Sequence, residues 1–222
     1  MRKTSFVVFD LGGVIVRIAR SWAEGCRAAG LPVRAPEQMG ADGMIARRRE
    51  LSRAYQEGRV SCDEYCRLVA ESTDGHYTPE EIRRVHDAWT MGEYPGVHEL
   101  VHEIRAAGVL TGVLSNTNHS HWVRLVPPPD HPAPEYRTPR LVDHPHASHL
   151  LGLSKPGLEI YRRFTEITGY RGREEEIIFF DDLEENVQAA RAVGWQAEWI
   201  DHAGDTAAQM RAHLVRRGVL PA

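Results

Sequence analysis

The sequence predicts an α/β fold, a Rossmann-like doubly wound parallel sheet with an inserted all-helical cap. Three observations predict it. Four short segments read as buried strands: Phe6–Asp10, Val109–Ser115, Ile177–Asp181 and Gln196–Ile200. Helical patterns alternate with the last three, as right-handed crossovers between parallel strands require. Between the first strand and Val97 the pattern is helical, with no clear strand.

The elements follow in order. Phe6-Val7-Val8-Phe9 is apolar throughout, ends in Asp10 and opens a turn, Leu11-Gly12-Gly13-Val14. Ser21–Ala29, Met39–Glu57, Cys62–Ser72 and Pro79–Trp89 read as cap helices. Thr78 suits an N-cap with Pro79 at the first helical position, and Ser61 precedes Cys62 in the same way. Val97–Ala107 places Val97, Leu100, Val101 and Ile104 on one face and stops at Gly108. Gly157–Thr168 repeats that pattern and stops at Gly169, Glu185–Val193 at Gly194, and Thr206–Arg217 at Gly218. Pro127–His149, rich in proline and histidine, reads as an ordered surface excursion. These assignments place the core domain at residues 1–16 and 93–222 and the cap at 17–92.

A chain of 222 residues holds one sizeable α/β domain with an insertion. A net charge of −4 argues against a general nucleic-acid binder. No apolar run approaches the roughly 18 residues of a membrane span. Met1-Arg2-Lys3-Thr4-Ser5 leads directly into the first strand, so no signal peptide is expected. An odd count of three cysteines points to reduced thiols and a cytoplasmic protein.

Each strand ends in a residue suited to chemistry. The first ends in Asp10, the second in Ser115-Asn116-Thr117-Asn118, and the third in Asp181-Asp182; Ser154-Lys155-Pro156 precedes a helix. Open α/β sheets place their ligand sites at these strand ends. The set suits phosphoryl transfer to a carboxylate, with Asp10 attacking phosphorus. A carboxylate approaching a phosphate dianion needs cations to offset repulsion. Mg²⁺ takes hard oxygen ligands from carboxylates, here Asp10 and Asp182 with Asp181 close by. Lys155 adds fixed positive charge, and Ser115 and loop amides donate hydrogen bonds to phosphate oxygens. Gly12 and Gly13 allow close backbone approach.

FDLGGV at 9–14, LSNTN at 114–118, SKPGLEIY at 154–161 and FFDDLEENV at 179–187 resemble, in order, the four motifs of the haloacid dehalogenase superfamily. The resemblance covers nearly the whole chain, and the helical insertion resembles that superfamily's type 1 cap. The chain most resembles the branch containing bacterial α-glucose-1-phosphate phosphatase. By resemblance, Asp10 is the nucleophile and a metal ligand, Gly12 gives its backbone carbonyl to Mg²⁺, and Asp182 with Asp181 completes the metal site. Ser115, Asn116, Lys155 and Gly13 then serve the phosphate. The implied activity is Mg²⁺-dependent hydrolysis of a small phosphomonoester, a sugar phosphate being favoured; a homodimer is possible.

Position 12 departs from the pattern. Most phosphatases of the superfamily carry there a second aspartate, which protonates the leaving oxygen and then activates water. Such catalysis is worth ~10²–10⁴-fold. Gly12 offers neither service, so the chain forgoes it, uses a substrate with a good leaving group such as a sugar anomeric oxygen, or recruits a substitute, for which His119, His121 or a cap side chain is the candidate. One rival reading is a metal-independent 2-haloacid dehalogenase, which also lacks that acid; the Asp181-Asp182 pair argues against it. The other is a non-catalytic binding or regulatory protein of the same fold.

Other residues read more plainly. His98 with His102, and His144, His146 and His149, are expected to be ordinary surface residues rather than metal ligands. Cys62 and Cys66 read as core thiols. Arg47-Arg48-Arg49 with Arg53 reads as a solvated cap face, and Trp22, Tyr55 and Trp89 as cap core.

Overall fold

Phe6–Phe9 (β1) forms the centre of a five-stranded parallel sheet in the computed structural model, which describes residues 4–128 and 135–222. Along the chain follow β2 (Val16–Ile18), α1 (Trp22–Ala28), α2 (Pro36–Gly40), α3 (Asp42–Gln56), α4 (Cys62–Ser72), α5 (Pro79–Asp87) and β3 (Thr90–Glu93). The chain then returns through α6 (Val97–Ala106), β4 (Leu110–Ser115), α7 (His119–Leu125), β5 (His144–Ala147), α8 (Ser148–Leu151) and α9 (Leu158–Ile167). It closes with β6 (Ile177–Asp181), α10 (Glu184–Ala192), β7 (Gln196–Trp199) and α11 (Thr206–Arg216). The strand order is β5-β4-β1-β6-β7.

The two-residue period of a strand explains the layers. Val7, Phe9, Ile178 and Phe180 face one way and pack with Val97, Leu100, Val101 and Ile104 of α6 and Met210 and Leu214 of α11. Phe6, Val8, Ile177 and Phe179 face the other way and pack with Ile160, Tyr161 and Phe164 of α9 and Val187 of α10. Both faces of the sheet are therefore covered, which is why β1 and β6 carry no polar face.

Helices α1 to α5 carry their own apolar cluster, which includes Cys26, Leu51, Val69, Tyr77, Ile82 and Val85. The N-caps read from sequence form: Ser61 and Thr78 accept from the backbones of Glu64 and Glu81, and Glu81 completes a capping box; Ser21 likewise caps α1, accepting from the Glu24 N–H.

Three expectations need correction. Two strands occur where none was read: β2 and β3 pair antiparallel, Val16 opposite Glu93 and Ile18 opposite Thr90, at the two ends of the helical insertion. They are too short for a periodic signal, and their pairing joins distant segments. The helix read over Met39–Glu57 is two helices, broken at Ala41, whose backbone is extended with ψ 142. Gly40 and Gly43 flank the break and weaken helical continuity. Finally, the excursion after Pro127 contains the edge strand β5, paired in parallel with β4 from Gly112 opposite His144 to Ser115 opposite Ala147. Its sequence, His144-Pro145-His146-Ala147, lacks alternation, and a proline is tolerated only because the strand lies at an edge. Residues 129–134 of that excursion lie outside the described residues.

Gly112 on β4 leaves room for two rings. A Cβ there would lie 2.9 Å from Phe6 Cε2 and 3.1 Å from Phe164 Cζ. Gly112→Ala is therefore expected to lose about 1–3 kcal/mol of stability through overpacking, measured by urea unfolding.

Candidate active site

β1 lies between β4 and β6, so their C-terminal ends bring Asp10, Ser115 and Asp181 to adjacent points on one edge. Asp10 follows the last residue of β1, and its N–H continues the ladder to the Phe180 carbonyl at 2.9 Å. Asp182 follows β6, and Lys155 lies on the loop between α8 and α9.

The charges meet in a small buried volume. Lys155 is 3 % exposed, Asp10 8 %, Asp181 0 % and Asp182 7 %. Lys155 Nζ lies 3.0 Å from Asp10 Oδ1 and 2.7 Å from Asp181 Oδ2. Asp181 also accepts from the Leu183 N–H at 2.9 Å and from Asn186 Nδ2 at 3.0 Å on both oxygens. Asp10 Oδ1 accepts from the Leu11 N–H at 2.7 Å. Arg20 Nη1 lies 2.6 Å from Asp182 Oδ2.

Three carboxylates thus face two cations, Lys155 and Arg20, a deficit of one positive charge in a desolvated place. Burial pushes the Asp10 carboxyl up to about 7; Lys155 opposes the shift and Asp181 and Asp182 add to it. Burial likewise raises Asp182, with Arg20 opposing. Among the described residues, Asp10, Asp181 and Asp182 form the group able to hold a metal ion, with one oxygen from each within 4.8 Å of the others. Asp10 Oδ2 and Asp182 Oδ1 accept no hydrogen bond from the described residues. Hard oxygen donors, surplus negative charge and uncommitted lone pairs together fit Mg²⁺.

The glycines act through space. Gly13 adopts φ +83, and a Cβ there would fall 2.3 Å from Asp182 Oδ2, so a side chain would displace the carboxylate. Its N–H already donates to the Val16 carbonyl at 2.8 Å, so donation from this amide to a phosphate is blocked in this conformation. At Gly12 a Cβ would lie 3.0 Å from Ile18 Cδ1 of β2. An apolar side chain thus flanks the place where an acid would stand.

The Asn116 amide and the Lys155 backbone bond reciprocally, Nδ2 donating to the Lys155 carbonyl at 2.8 Å and Oδ1 accepting from its N–H at 2.9 Å. Ser115 is buried at the end of β4, and its hydroxyl has no partner among the described residues.

Above these groups lies a cavity of about 1160 Å³ walled by the strand-end loops on one side and the helical insertion on the other. Ser115 and Lys155 line its floor; Trp22, Tyr55, Trp89 and the Arg48-Arg49 turn line its far wall. The arginine face read as solvated therefore borders a cavity. Helix α3 is fastened at its C-terminal end: Tyr55 Oη lies 2.8 Å from Ser120 Oγ, Ser148 Oγ donates to the Gln56 carbonyl at 2.6 Å, and Ser154 Oγ donates to Glu57 Oε1 at 2.5 Å.

The two histidines read as substitute acid–base groups differ. His119 is exposed and does not line the cavity. His121 lines it and stacks on His86 with ring centroids 4.0 Å apart. Its Nε2 donates to the His86 carbonyl at 2.7 Å, which leaves Nδ1 unprotonated, 3.4 Å from Asn118 Nδ2. Burial holds both imidazoles below their ordinary range. A neutral ring with both nitrogens engaged is a structural strut, not a free proton donor. Cys66 is buried, with its thiol pushed up to about 12, as a core thiol should be.

Sequence reasoning missed Arg20 and Asn186 as members of the charge cluster. Asn186 had a signal, one helical turn beyond Asp181-Asp182. Arg20 had none, since its place depends on the unrecognised β2.

The buried charges give a stability test. Asp10 holds its proton more tightly folded, about 7, than the ordinary 3.8, so its contribution to stability is lost as pH rises through that window. In the metal-free protein Asp10→Asn should therefore raise Tm, with little change near pH 4 and about 5 °C above pH 7, as scanning calorimetry would show.

Comparison with known proteins shows the family and the fold. A family model described as haloacid dehalogenase-like hydrolase matches residues 5–194. Phosphatase MT3486 of Mycobacterium tuberculosis (strain CDC 1551 / Oshkosh) is 26 % identical over 205 residues, covering 91 % of this chain and 89 % of that protein. The haloacid dehalogenase family enzyme bt-2542 of Bacteroides thetaiotaomicron superposes with a TM-score of 0.74 at 19 % identity, over 95 % of this chain and all of that one. Its complex with magnesium and inorganic phosphate superposes at 0.67, with 21 % identity over 90 % of this chain and 96 % of that one. A dehalogenase with an intermediate complex superposes at 0.61, with 15 % identity over 92 % of this chain and 88 % of that one. The matched residues run from the base of β1 past Asp181-Asp182, and this chain belongs to the haloacid dehalogenase-like hydrolases.

Proposed function

We propose that this hydrolase is a Mg²⁺-dependent phosphatase that hydrolyses a small phosphomonoester through an aspartyl-phosphate at Asp10. The observation that carries the reading is the buried triad of Asp10, Asp181 and Asp182, short of one positive charge, beneath a cavity floored by Ser115 and Lys155. The phosphatase relative supports it, as does the magnesium and phosphate complex of a protein sharing the fold.

The residues take these roles. Asp10, Asp182 and the Gly12 carbonyl hold Mg²⁺, with Asp181 beside them. When bound, the ion would supply the missing positive charge. Asp10 offers its free Oδ2 to phosphorus while Oδ1 stays with Lys155 and the Leu11 N–H; the phosphorus–oxygen bond to the leaving group breaks as the aspartyl–phosphorus bond forms, and water later attacks phosphorus and releases Asp10. Lys155 favours the ionised form of Asp10 and neutralises phosphate charge, and Ser115 donates its free hydroxyl. Asn116 braces Lys155 and keeps one amide hydrogen for a phosphate oxygen. Residues 17–92 act as a cap that shields the reaction from water.

No acid stands at position 12, and His121 is committed elsewhere. The chemistry then favours a leaving group that needs little protonation. A sugar anomeric oxygen meets that need, which supports the α-glucose-1-phosphate phosphatase branch. The Asp181-Asp182 pair beside Asp10 counts against dehalogenation, which requires no metal.

Asp10→Asn is expected to lower kcat for phosphomonoester hydrolysis by ~10³-fold or more while its circular dichroism spectrum stays native. EDTA should remove activity and Mg²⁺ restore it; EDTA-resistant turnover by the wild-type protein would contradict the reading.

A further inference from the structure

Resting on the phosphatase reading, we propose that the substrate carries a second anionic group, phosphate or carboxylate, bound by Arg48 with Arg49 and Arg53 on the far wall of the cavity. Helix α3 turns Ile45, Arg48, Arg49, Ser52, Arg53 and Gln56 toward it, the i, i+3, i+4 face of one helix. The C-terminal end of that helix is fastened beside Ser154 and Lys155. The three arginines lie progressively farther from that end and span about 7.5 Å of helix rise. They are placed for the distal end of a bound molecule, away from the reacting phosphoryl group.

Arg48 is prepared for a ligand. Its guanidinium packs 5.3 Å from the Trp22 ring centroid, and Nη2 donates to the Met39 carbonyl at 2.8 Å. Its Nη1 is buried with no hydrogen-bond partner. A buried unpartnered donor on a cation is costly, and an anion in the cavity relieves that cost. Some cap arginines have carboxylate partners, as Arg34 has Glu81, Arg67 has Glu71 and Arg83 has Asp63. Arg48, Arg49 and Arg53 have none among the described residues.

The charge of the wall agrees. The carboxylates lining the cavity are Glu184 and Glu185, both on α10 of the core; the cap contributes arginines and no acid. Such a wall repels cationic substrates and draws anionic ones. A cavity of about 1160 Å³ also exceeds what one phosphoryl group needs.

The test compares kcat/KM for α-glucose-1-phosphate, whose far end is neutral, with glucose-1,6-bisphosphate and gluconate-6-phosphate. The wild-type protein should prefer at least one doubly anionic compound by tenfold or more, and the preferred one identifies the anion as phosphate or carboxylate. Arg48→Met should reduce that preference about 10- to 100-fold, Arg53→Met should reduce it in part, and Arg48→Lys should retain part of it. Arg67→Met, outside the cavity, should leave the preference unaltered. Calorimetric binding of the same compounds to the Asp10→Asn protein reads the site without turnover. If no compound is hydrolysed, the phosphatase reading fails and the dissociation constants still decide the anion site. Equal affinity for singly and doubly anionic compounds, or a preference untouched by both Arg48→Met and Arg53→Met, overturns the proposal.

Discussion

The arrangement everything else depends on is one buried lysine shared between two buried aspartates. Lys155 Nζ touches Asp10 and Asp181 at 3.0 Å and 2.7 Å in a place largely shielded from water. A charge there persists only if it is paired and hydrogen-bonded. Asp181 meets that demand with Asn186, the Leu183 amide and Lys155. Asp10 does not meet it fully, and its carboxyl is pushed up to about 7. The remaining demand for positive charge at Asp10 is what a divalent cation and a phosphoryl group can use. The structure keeps Asp10 underpaired and Asp181 saturated.

The surrounding fold keeps that imbalance in place. Parallel pairing of β1 with β4 and β6 fixes Asp10 between Ser115 and Asp181, and both faces of the sheet are sealed by helices. Gly13 leaves the space that Asp182 fills. Arg20, just beyond β2, ties the beginning of the helical insertion to Asp182, while Tyr55, Gln56 and Glu57 tie the end of α3 to α7, to α8 and to the loop before α9. The insertion is thereby fastened at both sides of the cavity it covers.

Much of this was legible in the sequence because it is local. Phe6–Phe9 and Ile177–Asp181 are continuous apolar runs ending in acids, and periodicity plus a terminal glycine marked α6 and α9. What was not legible depends on pairing between distant segments. Strands β2 and β3 have too few residues for a period, and β5 holds a proline and two histidines where alternation should be. Arg20 had no meaning before β2 was known. Arg48 looked like one member of a solvated basic run, because nothing nearby in sequence says that α3 faces a cavity. The histidines misled in the opposite sense: His121 lies next to the second motif, yet its ring is spent on His86 and Asn118.

The central claim is that Asp10 accepts the phosphoryl group. Acid-quenching the protein during turnover of a phosphomonoester with Mg²⁺, followed by peptide mass spectrometry, tests it directly. A phosphoryl group on the Asp10 carboxylate, absent when Mg²⁺ is withheld, is the predicted result. Phosphorylation of another residue, or full turnover with Asp10 unmodified at every quench time, would contradict it.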